Sequence, residues 1–145
     1  MNVELKVTEN EARYLKLIYR EHCEGSSKIR TTAVAKSFGV QPATVTEVIQ
    51  NLAEKNLLRH KRYRGVELTK EGTAEARKLL RKHRILETLL VDLLNYDPQT
   101  ACDEASKLDY HASRDLINAI CRIYGHPKTC PCKKIIFSDP RCEGK

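Results

Sequence analysis

Residues 30–69, RTTAVAKSFGVQPATVTEVIQNLAEKNLLRHKRYRGVELT, limit the possible folds of this chain more than any other stretch. Val34, Ala35 and Phe38 share one helical face, and Val45, Val48, Ile49 and Leu52 recur at three- and four-residue steps, the pattern of a buried stripe. The spacing predicts a helix over 32–38 and another over 42–55. Gly39 between them supplies the positive φ that a sharp inter-helix turn needs, and Pro42 suits the first turn of the second helix. Two short helices joined by a Gly-containing turn form a helix-turn-helix. Leu57 and Leu58 then close the core, and HKRYRGVELT alternates around Arg64-Gly65 as a small hairpin. Helix-turn-helix plus hairpin is a winged helix.

Winged helices also serve as protein-interaction modules, so the exposed residues decide the reading. Gln41, Pro42, Ala43, Thr44, Thr46, Glu47 and Gln50 fall on the outward face of the second helix, and Thr32 opens the first. Short hydroxyls and amides of this kind meet base edges or phosphates. Lys61, Arg62, Tyr63 and Arg64, beside His60, make a cationic wing tip suited to phosphates or a minor groove. The formal net charge is +7, with 13 Lys/Arg against 8 Asp/Glu in residues 1–70 and 13 against 11 in 71–145. The excess lies with the winged helix, where a polyanion would bind. Double-stranded DNA is the expected partner.

The rest of the chain reads as mainly helical. A loose arm over 1–7 precedes Thr8 and Glu11, which have capping-box spacing, and a stripe of Ala12, Leu15, Ile18 and Tyr19 runs to about Cys23. After the wing, Thr69 caps a long helix to about Asn95, with Leu79, Leu80, Leu86, Leu89, Leu90, Leu93 and Leu94 as its apolar positions. Tyr96-Asp97-Pro98 stops it. Two shorter helices follow, 99–111 and 114–124, the second capped by Ser113. The division is thus 1–70 winged helix, 71–126 helical domain and 127–145 an irregular tail rich in cysteine. No apolar run is long enough to span a membrane and no leader pattern opens the chain, so a cytoplasmic protein without membrane contact is expected. Six cysteines in that compartment read as thiols or metal ligands rather than disulfides. No nucleophile–base pair or Gly-rich phosphate loop has the context of an enzyme.

His83 and Glu87 project from one face of the long helix. A satisfied core histidine or a simple helical ion pair would account for them. If the next helix packs back, however, Cys102 joins them, and imidazole, carboxylate and thiolate together suit a divalent transition ion, Zn or Fe before Mg or Ca. Cys130 and Cys132, with Cys142 downstream, have metal or iron–sulfur potential, though in C-x-C rather than C-x-x-C spacing. Cys121 shares the apolar face with Ile117 and Ile120 and reads as core. Oxidation of the tail thiols is the competing use.

From EARYLKLIY through RYRGVELT and HRILE to HPKTCPC, residues 8–132 resemble the diphtheria-toxin-repressor and manganese-transport-regulator family of metal-dependent repressors. The resemblance implies an N-terminal winged helix, a helical metal-binding and dimerisation domain, a homodimer and metal-promoted binding to palindromic operators. The resemblance implies the family's short two-domain form, with no SH3-like third domain expected. One family site, His–Glu–His, maps to His83, Glu87 and Cys102, a thiolate replacing the last imidazole. In the primary site only Asp109 keeps ligand character, since Arg13, Ser106 and Tyr110 stand at the other positions; Arg13 is expected to pair with Asp109 in place of the metal. Iron as Fe2+ leads the expected cofactors, with Mn2+, Zn2+ or an Fe–S cluster as alternatives. The other readings are a thiol-redox or Fe–S-sensing winged-helix regulator and a winged-helix protein-interaction module.

Overall fold

Thr8 starts the first helix as the spacing predicts. Its hydroxyl accepts from Glu11 N at 3.1 Å while Glu11 Oε1 accepts from Thr8 N at 2.9 Å, satisfying two amides of a helix end reciprocally. The computed structural model describes residues 7–25, 30–61 and 65–143. The expectation for 1–6 and for Arg62, Tyr63 and Arg64 lies outside the described residues, and Lys61 is described in its backbone alone. Val7, assigned to the loose arm, is buried. The chain divides into two compact units, residues 1–76 and 77–145.

In the first unit α1 (Glu9–Cys23), α2 (Thr31–Phe38) and α3 (Pro42–Glu54) bury the stripes read from the sequence. Leu15, Ile18, Val45 and Leu52 have essentially no exposed surface; each side chain of this kind contributes roughly 1.5–3 kcal/mol by leaving water. Gly39 ends α2 at φ 63°, and Pro42 opens α3, so the turn has the chemistry its geometry requires. Lys55 Nζ lies 2.5 Å from the buried Glu11 carboxylate, tying α3 to α1. Burial opposes the charge on Glu11, but the Lys55 ammonium and the Thr8 hydrogen bonds outweigh it and hold the carboxyl below its usual range. The wing follows as β1 (Leu58–Lys61) and β2 (Gly65–Leu68), antiparallel, with Leu58 opposite Leu68 and Lys61 opposite Gly65. Thr69 then caps α4 (Lys70–Leu94), accepting from Gly72 N at 2.9 Å. Gly72 is required by contact: a Cβ there would stand 1.9 Å from the Leu57 carbonyl oxygen.

In the second unit α4 continues to Leu94, joined by α5 (Pro98–Leu108), α6 (Arg114–Ile123) and α7 (Pro140–Glu143). Asn95, at φ 58°, ends α4 in the left-handed conformation. The Asp97-Pro98 pair read as a stop is also the next start: Asp97 caps α5, accepting from Thr100 N at 3.1 Å, with Pro98 in the first turn. Ser113 caps α6 as expected, accepting from Leu116 N at 3.1 Å. Ile85, Leu86, Leu90, Ala101, Ala105, Ile117 and Ile120 form the core.

The tail departs from its expected irregularity. Thr129 bridges to Ile135, Ile136 N donates to Lys128 O at 2.9 Å, and α7 follows. Two buried arginines of α4 hold this segment: Arg81 Nη1 donates to Phe137 O at 2.7 Å and Arg84 Nη1 to Ile135 O at 2.8 Å. Composition conceals this order because the bonds use tail carbonyls, which every residue has. Leu93, Leu94, Leu116 and Ile123, by contrast, are apolar but at least half exposed.

Candidate metal centre and nucleic-acid interface

The face of α3 opposite its buried stripe is the one read as DNA-facing. Gln41, Pro42, Ala43, Thr44, Thr46, Glu47 and Gln50 are all exposed, as is Thr32 on α2. Gln41 precedes α3 without a side-chain cap; Pro42 has no N–H to satisfy, and the Thr44 N–H donates to Gln41 O at 3.0 Å. The Thr46 hydroxyl donates to Pro42 O at 3.1 Å, keeping lone pairs outward. A groove of about 270 Å³ runs between α3 and the wing, lined by Arg30, Thr46, His60 and Val66 among others. Arg30 was not among the sequence candidates; its position immediately before the α2 helix was the available signal.

The second unit brings His83, Glu87 and Cys102 together. The four-residue step on α4 places Glu87 Oε1 2.6 Å from His83 Nε2, and α5 brings Cys102 Sγ to 3.4 Å from the same nitrogen. One ligand atom from each residue lies within 4.8 Å of the others. His83 is fully buried and Glu87 nearly so, with Cys102 half-buried. Asp109, at the end of α5, occupies the far side of the ring, its Oδ2 3.0 Å from His83 Nδ1. An imidazole with one proton can donate to only one of two flanking carboxylates. Both are satisfied by a second proton on the ring, by a proton on the Glu87 carboxyl, or by a cation at Nε2. With Nδ1–H given to Asp109, Nε2 presents its lone pair toward Glu87 and Cys102, the carboxylate–histidine arrangement that orients metal-binding imidazoles.

Of the family's primary-site positions, Arg13 lies over the Phe38 ring at 4.5 Å and bonds Asn10 Oδ1 at 3.5 Å, and the Ser106 hydroxyl donates to Cys102 O at 3.0 Å. Tyr110 stands edge-on to His111 at 5.1 Å.

The tail cysteines divide between two places. Cys132 is an exposed residue close to the Glu87 carboxylate. Burial of the sulfur first, then the Glu87 carboxylate with Cys130 and Cys102, push the Cys132 thiol up to about 11. Burial likewise raises Cys130. Cys142 instead meets Cys121 and His126, whose ligand atoms lie within 4.8 Å of one another. His126 was absent from the sequence candidates and Cys121 was read as core; it is core, and it also faces the imidazole. Among the described residues, neither converging group supplies the four thiolates of a usual iron–sulfur site.

The comparisons with known proteins cover both units. A family described as "Iron dependent repressor, N-terminal DNA binding domain" matches residues 6–66, and "Iron dependent repressor, metal binding and dimerisation domain" matches residues 69–138. An HTH-type transcriptional regulator of Methanocaldococcus jannaschii is 34% identical over 107 residues, covering 74% of this chain and 86% of the relative. The iron-dependent repressor IdeR of Mycobacterium tuberculosis is 30% identical over 126 residues, 87% of this chain and 54% of the relative, so the chain spans about half that repressor's length. Among solved structures, a manganese-dependent transcriptional repressor in complex with manganese superposes with a TM-score of 0.82 at 34% identity, covering 88% of this chain and 58% of that one. No described helix is long and apolar enough to cross a membrane. With both of its domains matched in order, this chain belongs to the iron-dependent repressor family.

Proposed function

We propose that the chain is a metal-dependent transcriptional repressor that binds a palindromic DNA operator as a homodimer, with the regulating ion held by His83, Glu87 and Cys102. The convergence of these three donors, with Asp109 behind the imidazole, carries the reading. The donors fit a divalent transition ion: imidazole and carboxylate suit iron, manganese or zinc, and the thiolate favours Fe2+ or Zn2+ over Mn2+. Such an ion takes the Nε2 lone pair while Nδ1–H is given to Asp109. Asp109 holds the ring, and the Cys132 thiol beside Glu87 offers a further sulfur donor.

The exposed face of α3 reads the major groove and the wing meets the backbone. Two copies place their recognition helices about 34 Å apart, one turn of DNA. Leu93, Leu94, Leu116 and Ile123 supply apolar surface for the partner copy. The site stands on α4, the helix entered directly from the wing, so an ion that orders this unit acts on the element leading to the DNA-binding head. Thiol-redox sensing is the weaker reading, because reactive sensor cysteines have depressed pKa values and the thiols of Cys130, Cys132 and Cys142 are raised. The test is fluorescence anisotropy on a duplex selected by the protein, with Fe2+ under anaerobic conditions and with chelator. Tight binding with iron and weak binding with chelator is expected, and His83→Ala abolishes the difference. Equal binding in both conditions contradicts the reading.

A further inference from the structure

Cys121 lies in the last turn of α6, His126 follows that helix's terminating turn, and Cys142 lies in α7. Three segments thus meet at one point without any of the residues of the His83 centre. Cys121 Sγ lies 3.5 Å from His126 Nδ1, and Cys142 Sγ lies 3.4 Å from the same nitrogen. A tetrahedral zinc ion with ordinary Zn–S and Zn–N bonds separates sulfur from nitrogen by about 3.5 Å. Cys142 also donates to the Asn118 carbonyl at 3.7 Å, so the thiols have hydrogen-bond partners in the metal-free chain, and it is the convergence of two sulfurs on one imidazole nitrogen that fits a metal.

His126 sits at φ 57°, in the left-handed region that asparagine, aspartate and histidine adopt most readily after glycine, and its N–H donates to Cys121 O at 2.9 Å. This turn carries its ring back to face Cys121. A cavity of about 20 Å³, room for one water, borders Cys121 and His126 and is also lined by Arg81 and Lys128. Both sulfurs are buried. Two thiolates would balance a divalent cation, so the filled site adds no net charge to the interior.

We propose that Cys121, His126 and Cys142 form a second metal site that takes a zinc-class divalent cation and clips the chain's last helix to α6. The segment between His126 and Cys142 carries Cys132, whose thiol meets Glu87. The clip therefore also fixes the loop that borders the His83 centre. Two thiolates and an imidazole select zinc over manganese or magnesium.

The test is a titration of the reduced, chelator-stripped full chain with Co2+, the spectroscopic stand-in for Zn2+. Wild type takes up two ions per chain. Cys142→Ser takes up one and loses part of the thiolate-to-cobalt absorption. Cys102→Ser weakens the other site and retains the clip, so the two sites fail separately. His126→Asn guards against a folding artefact: asparagine suits the positive φ, so metal-free thermal stability is kept while one ion and the zinc-induced rise in stability are lost. X-ray absorption of Cys102→Ser loaded with one zinc shows two sulfurs and a nitrogen. Unchanged uptake and absorption in both His126→Asn and Cys142→Ser overturns the proposal. So does a Cys121–Cys142 disulfide that, once reduced, leaves a protein binding no second ion.

Discussion

Asp109 Oδ2 stands 3.0 Å from His83 Nδ1, on the side of the ring opposite Glu87 and Cys102. This contact fixes which imidazole nitrogen faces the donor set. Asp109→Asn preserves shape but removes the negative charge behind the ring and leaves the orienting bond dependent on the amide rotamer. Metal affinity is expected to fall about 10–100-fold, as for other such partners. Competition with a calibrated chelator measures it, and an unchanged affinity would show that Asp109 does not orient the ring.

Cys102 distinguishes the donor set chemically. Cys102→Ser exchanges a soft donor for a weak hard one, so zinc and iron affinities drop by at least about tenfold while manganese affinity changes less. Half-maximal DNA binding moves to higher Zn2+ or Fe2+ in the same proportion. If metal-dependent DNA binding is unaltered in this variant, Cys102 is not a ligand of the regulating ion.

The two proposed DNA contacts separate by their dependence on sequence and salt. Gln50→Ala on the exposed face of α3 is expected to lose about 1–3 kcal/mol of discrimination at one base pair. Lys61→Ala is expected to weaken all sequences alike and reduce the slope of log K against log salt by about one. Binding isotherms at several salt concentrations check both.

The tail has its own pH signature. The Arg114 guanidinium holds the Asp139 carboxyl well below the usual carboxylate range, against the opposing effect of burial and with help from Asn118 and Arg141 N. A depressed folded-state pKa contributes stability that is fully present above the unfolded value, about 4, and is lost as pH falls through the folded value. Asp139→Asn should therefore cost about 1–3 kcal/mol at neutral pH, Arg114 being half-exposed, and progressively less below about pH 4. Denaturant unfolding of the second unit at pH 7 and pH 3 reads this difference.

The sequence carried the helix boundaries because local chemistry sets them: Thr8, Thr69 and Ser113 each act as the cap their spacing announced. The His83–Glu87 pair was legible because it is one helical step, whereas Cys102 could be added only on the condition that the next helix packs back, since the packing of α5 on α4 is not written in either helix. His126 and Cys121 escaped notice as a pair. Five residues across a helix end is no ligand motif, and only the left-handed turn at Gly125 and His126 brings them face to face. The order of the tail was hidden for a similar reason, its carbonyls being held by Arg81 and Arg84 more than fifty residues earlier.

The central claim is tested most directly by selection of DNA from a random-sequence duplex pool by the full chain, with Fe2+ under anaerobic conditions and with chelator, in wild type and His83→Ala. The account predicts that wild type enriches a two-fold-symmetric sequence with metal alone and that His83→Ala enriches none under either condition. Enrichment of the same sequence by both proteins in chelator would contradict it.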